Sequence, residues 1–347
     1  MVILHALFLP VLIFLSWFYS IIIWIRNCLY NFGLLKSVSF DVPIISVGNI
    51  TTGGTGKTPM VIYLATLLER SGYKPGIISR GYGRNSRGLI VVHDGNRLLS
   101  DVDCAGDEPY LMGKQLDNIP IIVSENRITG IKTLLANSPV NLVILDDAFQ
   151  HRKVKRDIDV VMISTYDKIA NYQLLPWGKL REPLRSLKRA QYVIYTKTKQ
   201  FQRPHLHKIF NPYMKNSPTM SIMHPVLMKM DGAGYHKAAP IDVPVFTFCG
   251  IGNPNFFIDT VKEVGLNIAG KRIFRDHKKY NPRVLQALSV EIQRYNCEAV
   301  VTTEKDMVKI PESFIKKFIF YVIKIDVVFE NESVVIDLIK PGLPVSH

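Results

Sequence analysis

The chain has 347 residues, 47% hydrophobic and 21% charged, with 43 Lys and Arg against 29 Asp and Glu. That balance excludes a disordered polypeptide, and the length suffices for two domains with their own cores. The cysteines, Cys28, Cys104, Cys249 and Cys297, form no CxxC pair and have no histidine at metal-ligand spacing, so a disulfide scaffold and a zinc site are not expected.

The N-terminus carries the first predicted element. Met1 to Ile25 contains no Lys, Arg, Asp or Glu, and Ala6–Ile25 is nearly continuously apolar. About 20 apolar residues cross the ~30 Å hydrocarbon core as a helix. A cleaved signal peptide would need a basic leading segment and a small-residue cleavage site, and neither is present. Leu7-Phe8-Leu9 and Ile21-Ile22-Ile23-Trp24 leave no polar face for a core helix. Trp17, Tyr19 and Trp24 suit a membrane interface, and Arg26 and Lys36 place the following chain on the cytoplasmic side. Residues 1–36 are therefore expected to be a membrane anchor, spanning or deeply inserted.

A β/α alternation follows. Ile44–Val47, Gly76–Ser79, Ile121–Ser124, Leu142–Leu145, Val160–Ile163 and Tyr192–Tyr195 read as short buried strands. Met60–Arg70, Pro109–Gln115 and Arg127–Ala136 read as helices between them. Apolar strands separated by helices predict a mainly parallel sheet covered on both faces, here over residues 37–200. Residues 201–240 hold Pro204, Pro212, Pro218, Pro225 and Asp231-Gly232 and read as an irregular linker. A smaller α/β domain is expected over 241–347. It has strands at Val245–Cys249, Ala299–Thr302 and Phe318–Ile323, and helices at Phe256–Val264 and Arg283–Arg294.

Gly53-Gly54-Thr55-Gly56-Lys57-Thr58 sits between the first strand and the first internal helix. A strand, a Gly-rich turn and a helix N-terminus form the context of a phosphate-binding loop, whose backbone N–H groups close around a polyphosphate. Lys57 then reaches the β- and γ-phosphates of a nucleoside triphosphate, and the Thr58 hydroxyl is placed for Mg²⁺. Thr51 stands where the strict pattern asks for a first glycine. Asn141–Leu145 ends in Asp146-Asp147, the position from which a carboxylate holds Mg²⁺ beside such a loop, although paired aspartates are also an ordinary turn.

Further candidates are local. Asp107, in Gly106-Asp107-Glu108-Pro109, is either a helix cap or a general base. Arg80, Arg127 and Arg181 are candidate phosphate contacts, and Glu182 shares a mixed apolar loop with Arg181. His277 follows Asp276, and lone histidines are more often structural. Residues 151–220 carry 15 Lys and Arg against 4 Asp and Glu, a face suited to anionic lipid or a phosphorylated substrate. No motif with interleaved aromatics points to nucleic acid.

Taken in order, these segments resemble the tetraacyldisaccharide 4′-kinase family of Gram-negative bacteria. The resemblance spans most of the chain. It rests on Ser46–Ile50 running into the phosphate loop, Ser79–Arg84, Gly106–Pro109, Asp146-Asp147-Ala148-Phe149-Gln150-His151 and Leu180–Pro183. Gly250–Pro254, Asp276-His277 before Tyr280, and Thr303–Asp306 complete it. Two departures stand out: Ala148 replaces a common glycine, and Trp177-Gly178-Lys179 replaces the usual Ala-Gly-Pro, which implies local loop differences. Thr51 is a habit of that family. The resemblance implies a P-loop fold that uses ATP and Mg²⁺ to phosphorylate the 4′-hydroxyl of a tetraacylated glucosamine disaccharide. The site would lie on the cytoplasmic face of the inner membrane, with Asp107 and His277 as the catalytic dyad. The rival reading from the residues alone is a membrane-tethered nucleotide switch that phosphorylates nothing.

Overall fold

The apolar runs of the first half become strands buried on both faces in the computed structural model, which describes residues 2–198, 206–231, 234–329 and 335. They are β1 (Ile44–Asn49), β2 (Pro75–Ser79), β3 (Ile90–His93), β4 (Ile121–Val123), β5 (Leu142–Asp146), β6 (Ile158–Ser164) and β7 (Tyr192–Thr198). The helices of this half are α1 (Val2–Asn31), α2 (Lys57–Arg70), α3 (Val102–Ala105), α4 (Asp107–Gln115) and α5 (Arg127–Asn137). Helix α2 turns Met60, Val61, Leu64, Ala65 and Leu68 onto the sheet. β1 lies between β5 and β6, with β2 beyond β5, all parallel. Val47 pairs with Asp146, so the segments leaving β1 and β5 emerge side by side.

The second half contributes α6 (His207–Phe210), β8 (Thr219–Asp231), β9 (Gly234–Lys237), β10 (Val245–Cys249), α7 (Pro254–Glu263) and β11 (Ile268–Ile273). It continues with α8 (Pro282–Arg294), β12 (Ala299–Thr303), α9 (Glu304–Met307), α10 (Glu312–Ile315) and β13 (Ile319–Phe329). Among the described residues these strands join the first set in one 13-stranded sheet of order β11-β10-β12-β13-β8-β7-β6-β1-β5-β2-β4-β3, with β9 added to β8. All pairings are parallel except β3–β4, β8–β9 and β8–β13.

The segment expected to be an irregular linker therefore contains a long strand. β8 runs parallel to β7 and antiparallel to β13, from Tyr321 opposite Lys229 to Phe329 opposite Ser221. Its apolar residues Met220, Ile222, Met223, Leu227 and Met228 carry it between the two halves. Pro225 and Asp231 are strand residues here despite being turn-formers in isolation.

Helix α1 docks through one narrow side. Ser16 Oγ donates to the Leu174 carbonyl (2.9 Å) and Tyr19 Oη to the Arg181 carbonyl (2.8 Å). Arg26 pairs with Glu182 at 2.6 Å. Phe8, Phe14, Trp17, Phe18 and Trp24 are exposed, and the exposed Phe32, Leu34 and Leu35 extend the apolar surface past the helix end. Phe8–Asn31 is long and apolar enough to cross a bilayer.

Candidate active site

The phosphate loop opens into a cleft of about 440 Å³ that both halves of the sheet line. All six residues from Gly53 to Thr58 face it. Gly56 is left-handed (φ 83°) and precedes the first residue of α2. A methyl group there would be strained by the left-handed backbone and would also displace the end of the Met223 side chain, whose Cε would lie 1.7 Å away. The loop is braced from below: Asn49 Nδ2 donates to Thr55 Oγ1 (3.1 Å), and Thr196 Oγ1 donates to the Thr55 carbonyl (2.9 Å).

The paired aspartates diverge. Asp147, with φ 46°, turns into the cleft, where Lys57 Nζ lies 3.6 Å from it and Arg181 contacts both its oxygens at 3.0 Å. Burial raises the Asp147 pKa, but the charges of Lys57 and Arg181 outweigh it and hold it below the ordinary value. Asp146 lies behind, buried, with Oδ2 accepting from Ser79 Oγ (2.8 Å). Burial, then the carboxylates of Glu108 and Asp147, push it up to about 7. Its Oδ1 is buried without a hydrogen-bond partner. An orphaned oxygen in surplus negative charge fits a hard cation. Mg²⁺ takes one or two carboxylates plus substrate phosphate oxygens, so no larger ligand cluster is needed. None is present among the described residues. Gln150 braces this corner, donating to the Asn49 carbonyl (2.7 Å) and accepting from Arg181 (3.3 Å).

Asp107 and His277 come from opposite halves of the sheet and meet at 3.2 Å, His277 Nδ1 against Asp107 Oδ2. Asp107 is the first residue of α4 and makes no capping bond; Gly106 holds the cap position. His277 is left-handed (φ 57°), its N–H donating to the Gly250 carbonyl (3.2 Å), and its ring lies against Tyr82. Burial raises the Asp107 pKa, but His277, Lys309 and Lys305 outweigh it and leave it below its ordinary value.

The other sequence candidates divide between the cleft and the surrounding fold. Arg181 faces the cleft, and Arg80 is exposed outside its lining. Arg127 is buried, donating to the Ser124 (2.8 Å) and Asp146 (3.3 Å) carbonyls, which makes it a brace for the β5 end. Glu182 is fully buried between Arg26 and Arg189, in the seat of α1, outside the cleft lining.

Sequence reasoning did not single out Lys197, Lys305 or Lys309. Lys197, at φ 61° in β7, donates to the Gly54 carbonyl (2.6 Å) and lies over the Phe256 ring, with burial lowering it to about 8. Lys305 bridges Glu108 (3.0 Å) and Asp276 (3.3 Å). The Thr303–Asp306 motif carried a signal for Lys305; Lys197 and Lys309 lie outside every motif.

A mainly parallel sheet with a phosphate loop after β1 and a carboxylate after the adjacent β5 defines a P-loop nucleotide-binding protein. The comparisons narrow this. The model of the LpxK family, tetraacyldisaccharide-1-P 4′-kinase, matches residues 8–341, and the chain belongs to that family. It is 37% identical over 298 residues to the tetraacyldisaccharide 4′-kinase of Chlorobaculum tepidum, covering 85% of this chain and 84% of that one. It is 36% identical over 321 residues to that of Halothermothrix orenii, covering 87% and 83%. The crystal structure of LpxK from Aquifex aeolicus in complex with ATP matches with a TM-score of 0.74 and 31% identity, covering 98% of this chain and 100% of that one.

Proposed function

We propose that this kinase transfers the γ-phosphoryl group of ATP to the 4′-hydroxyl of a tetraacylated glucosamine disaccharide at the cytoplasmic face of the inner membrane. The observation that carries the reading is Asp107 at 3.2 Å from His277, beside the cleft that the phosphate loop opens into. In the step, the acceptor oxygen bonds to the γ-phosphorus, the bond to the β–γ bridging oxygen breaks, and the hydroxyl proton passes to Asp107. ADP leaves.

Each residue has a distinct task. The loop N–H groups and Lys57 hold the polyphosphate, and Arg181 faces the charge that spreads over its oxygens. Thr58, Asp146 and Asp147 are the donors for Mg²⁺, which supplies charge neutralisation at the phosphates when bound. Asp107 accepts the proton with its ionised form favoured, and His277 fixes its orientation.

The exposed aromatic face of α1 and the apolar residues after it support membrane seating, where the acyl chains of the acceptor remain in the bilayer. The Lys- and Arg-rich stretch over 151–220 suits anionic headgroups. Incubation with γ-labelled ATP and the tetraacylated disaccharide in detergent tests the reading. Label in the lipid supports it; free phosphate released without labelled lipid contradicts it and favours a nucleotide switch.

A further inference from the structure

Two nitrogen-bearing side chains face the Asp107 carboxylate. Oδ2 lies within 3.2 Å of His277 Nδ1 and 3.0 Å of Lys309 Nζ. The carboxylate is therefore held by close ionic contacts from two nitrogen-bearing side chains, both of which approach Oδ2.

Lys309 has no access of its own to the reaction. Its side chain is 7% exposed and is not part of the cleft wall. Its ammonium sits between Asp107 and Asp306 Oδ1, at 3.1 Å from the latter. Asp306 is itself immobilised. It accepts from the Gly250 N–H (2.8 Å), Thr303 Oγ1 (2.8 Å) and Tyr280 Oη (2.9 Å), groups that follow β10, end β12 and precede α8. Three elements of the second half of the sheet thus fix one carboxylate, which fixes Lys309, which reaches across to Asp107 on α4 in the first half.

We infer that Lys309 is a positioning residue for phosphoryl transfer: it orients the Asp107 carboxylate and holds it ionised, drawing its rigidity from the Asp306 hub. The inference rests on Asp107 being the base. Other charged or titratable groups around Asp107 are His277 and Lys305 on the cationic side and Glu108, Asp276, Asp306 and Tyr280 on the other. Lys309 is the ammonium group in direct contact with Asp107, at 3.0 Å. A residue that only braced Asp306 would alter stability and leave the proton step alone.

The test is the pH dependence of turnover, with saturating ATP and acceptor lipid, for wild type, Lys309→Met, Lys309→Arg and Asp107→Asn. For Lys309→Met, turnover at neutral pH is expected to fall roughly 10- to 100-fold. The acid limb should move up by about one pH unit as the carboxylate loses its cation, with the KM for ATP unchanged. Lys309→Arg should restore the limb. Lys309→Gln, which keeps a donor for Asp306, should show the same displacement and stands in if the methionine variant loses its ATP affinity. An unmoved limb in both neutral variants, with Asp107→Asn inactive, overturns the role of Lys309 and leaves the base intact. An active Asp107→Asn removes the base and this inference with it.

Discussion

Replacing Glu182 by Gln separates two readings of one residue. By sequence it lies beside Arg181 as a candidate substrate contact; in the fold it is 0% exposed and paired with Arg26 at 2.6 Å and Arg189 at 2.8 Å. Burial raises its pKa, but Arg189, Ser186 and Arg26 outweigh it and keep it below the ordinary carboxylate value. Breaking a fully buried ion pair from one side costs about 3–5 kcal/mol. Here the two arginine side chains are 30% and 20% exposed, so solvent screening lowers the cost and about 2–3 kcal/mol is expected. That corresponds to a fall in the unfolding midpoint of roughly 3–4 °C in detergent. Arg26→Gln combined with Glu182→Gln should cost less than the sum of the two. The KM for the acceptor lipid should change far less than the stability. An unchanged midpoint together with a raised lipid KM would refute the seat and return Glu182 to the substrate.

Four further outcomes are expected. Lys57→Ala removes a charge-assisted contact worth about 1.5–3 kcal/mol, so ATP affinity by titration should fall about 10- to 100-fold. Gly252→Ala would bring a methyl 2.7 Å from the Gly54 nitrogen, so the loop after β10 must move off the phosphate loop; stability should fall by about 1–3 kcal/mol, with weaker ATP binding. Burial pushes Glu304 up to about 7, so its contribution is fully present below about pH 4.5 and is lost as pH rises toward 7. Urea unfolding should show that Glu304→Gln flattens stability across that window by on the order of 2 kcal/mol. Lys197→Met should leave the fold intact and free the Gly54 carbonyl, raising the KM for ATP.

The central strands were legible because strands buried on both faces must be apolar throughout, as Leu142–Leu145 and Val245–Cys249 are. The phosphate loop was legible because its glycines and Lys-Thr are local to one turn. β8 was not, because its Pro225 and terminal Asp231 signal breaks locally, while nine paired positions with β13 supply the order from far along the chain. β11 was missed for a different reason: at the sheet edge, Ile268–Ile273 keeps Gly270 alone buried and shows no apolar run. Site roles divided the same way. Asp107 and His277 are separated by most of the fold, and the residues alone gave no reason to join them; the family resemblance did. Arg127 and Glu182 look like ligand contacts in sequence and are absorbed by carbonyls and guanidinium groups that only the fold brings near.

The central claim is that Asp107 acts in the proton step without holding the nucleotide. Single-turnover transfer of labelled γ-phosphate to the tetraacylated disaccharide, run for wild type and Asp107→Ala beside ATP titrations of both, tests it most directly. The account predicts equal ATP affinity, with labelled lipid from the wild type and transfer lost in the variant by about 100-fold or more. Transfer at the wild-type rate, or an equal loss of ATP binding, would contradict it.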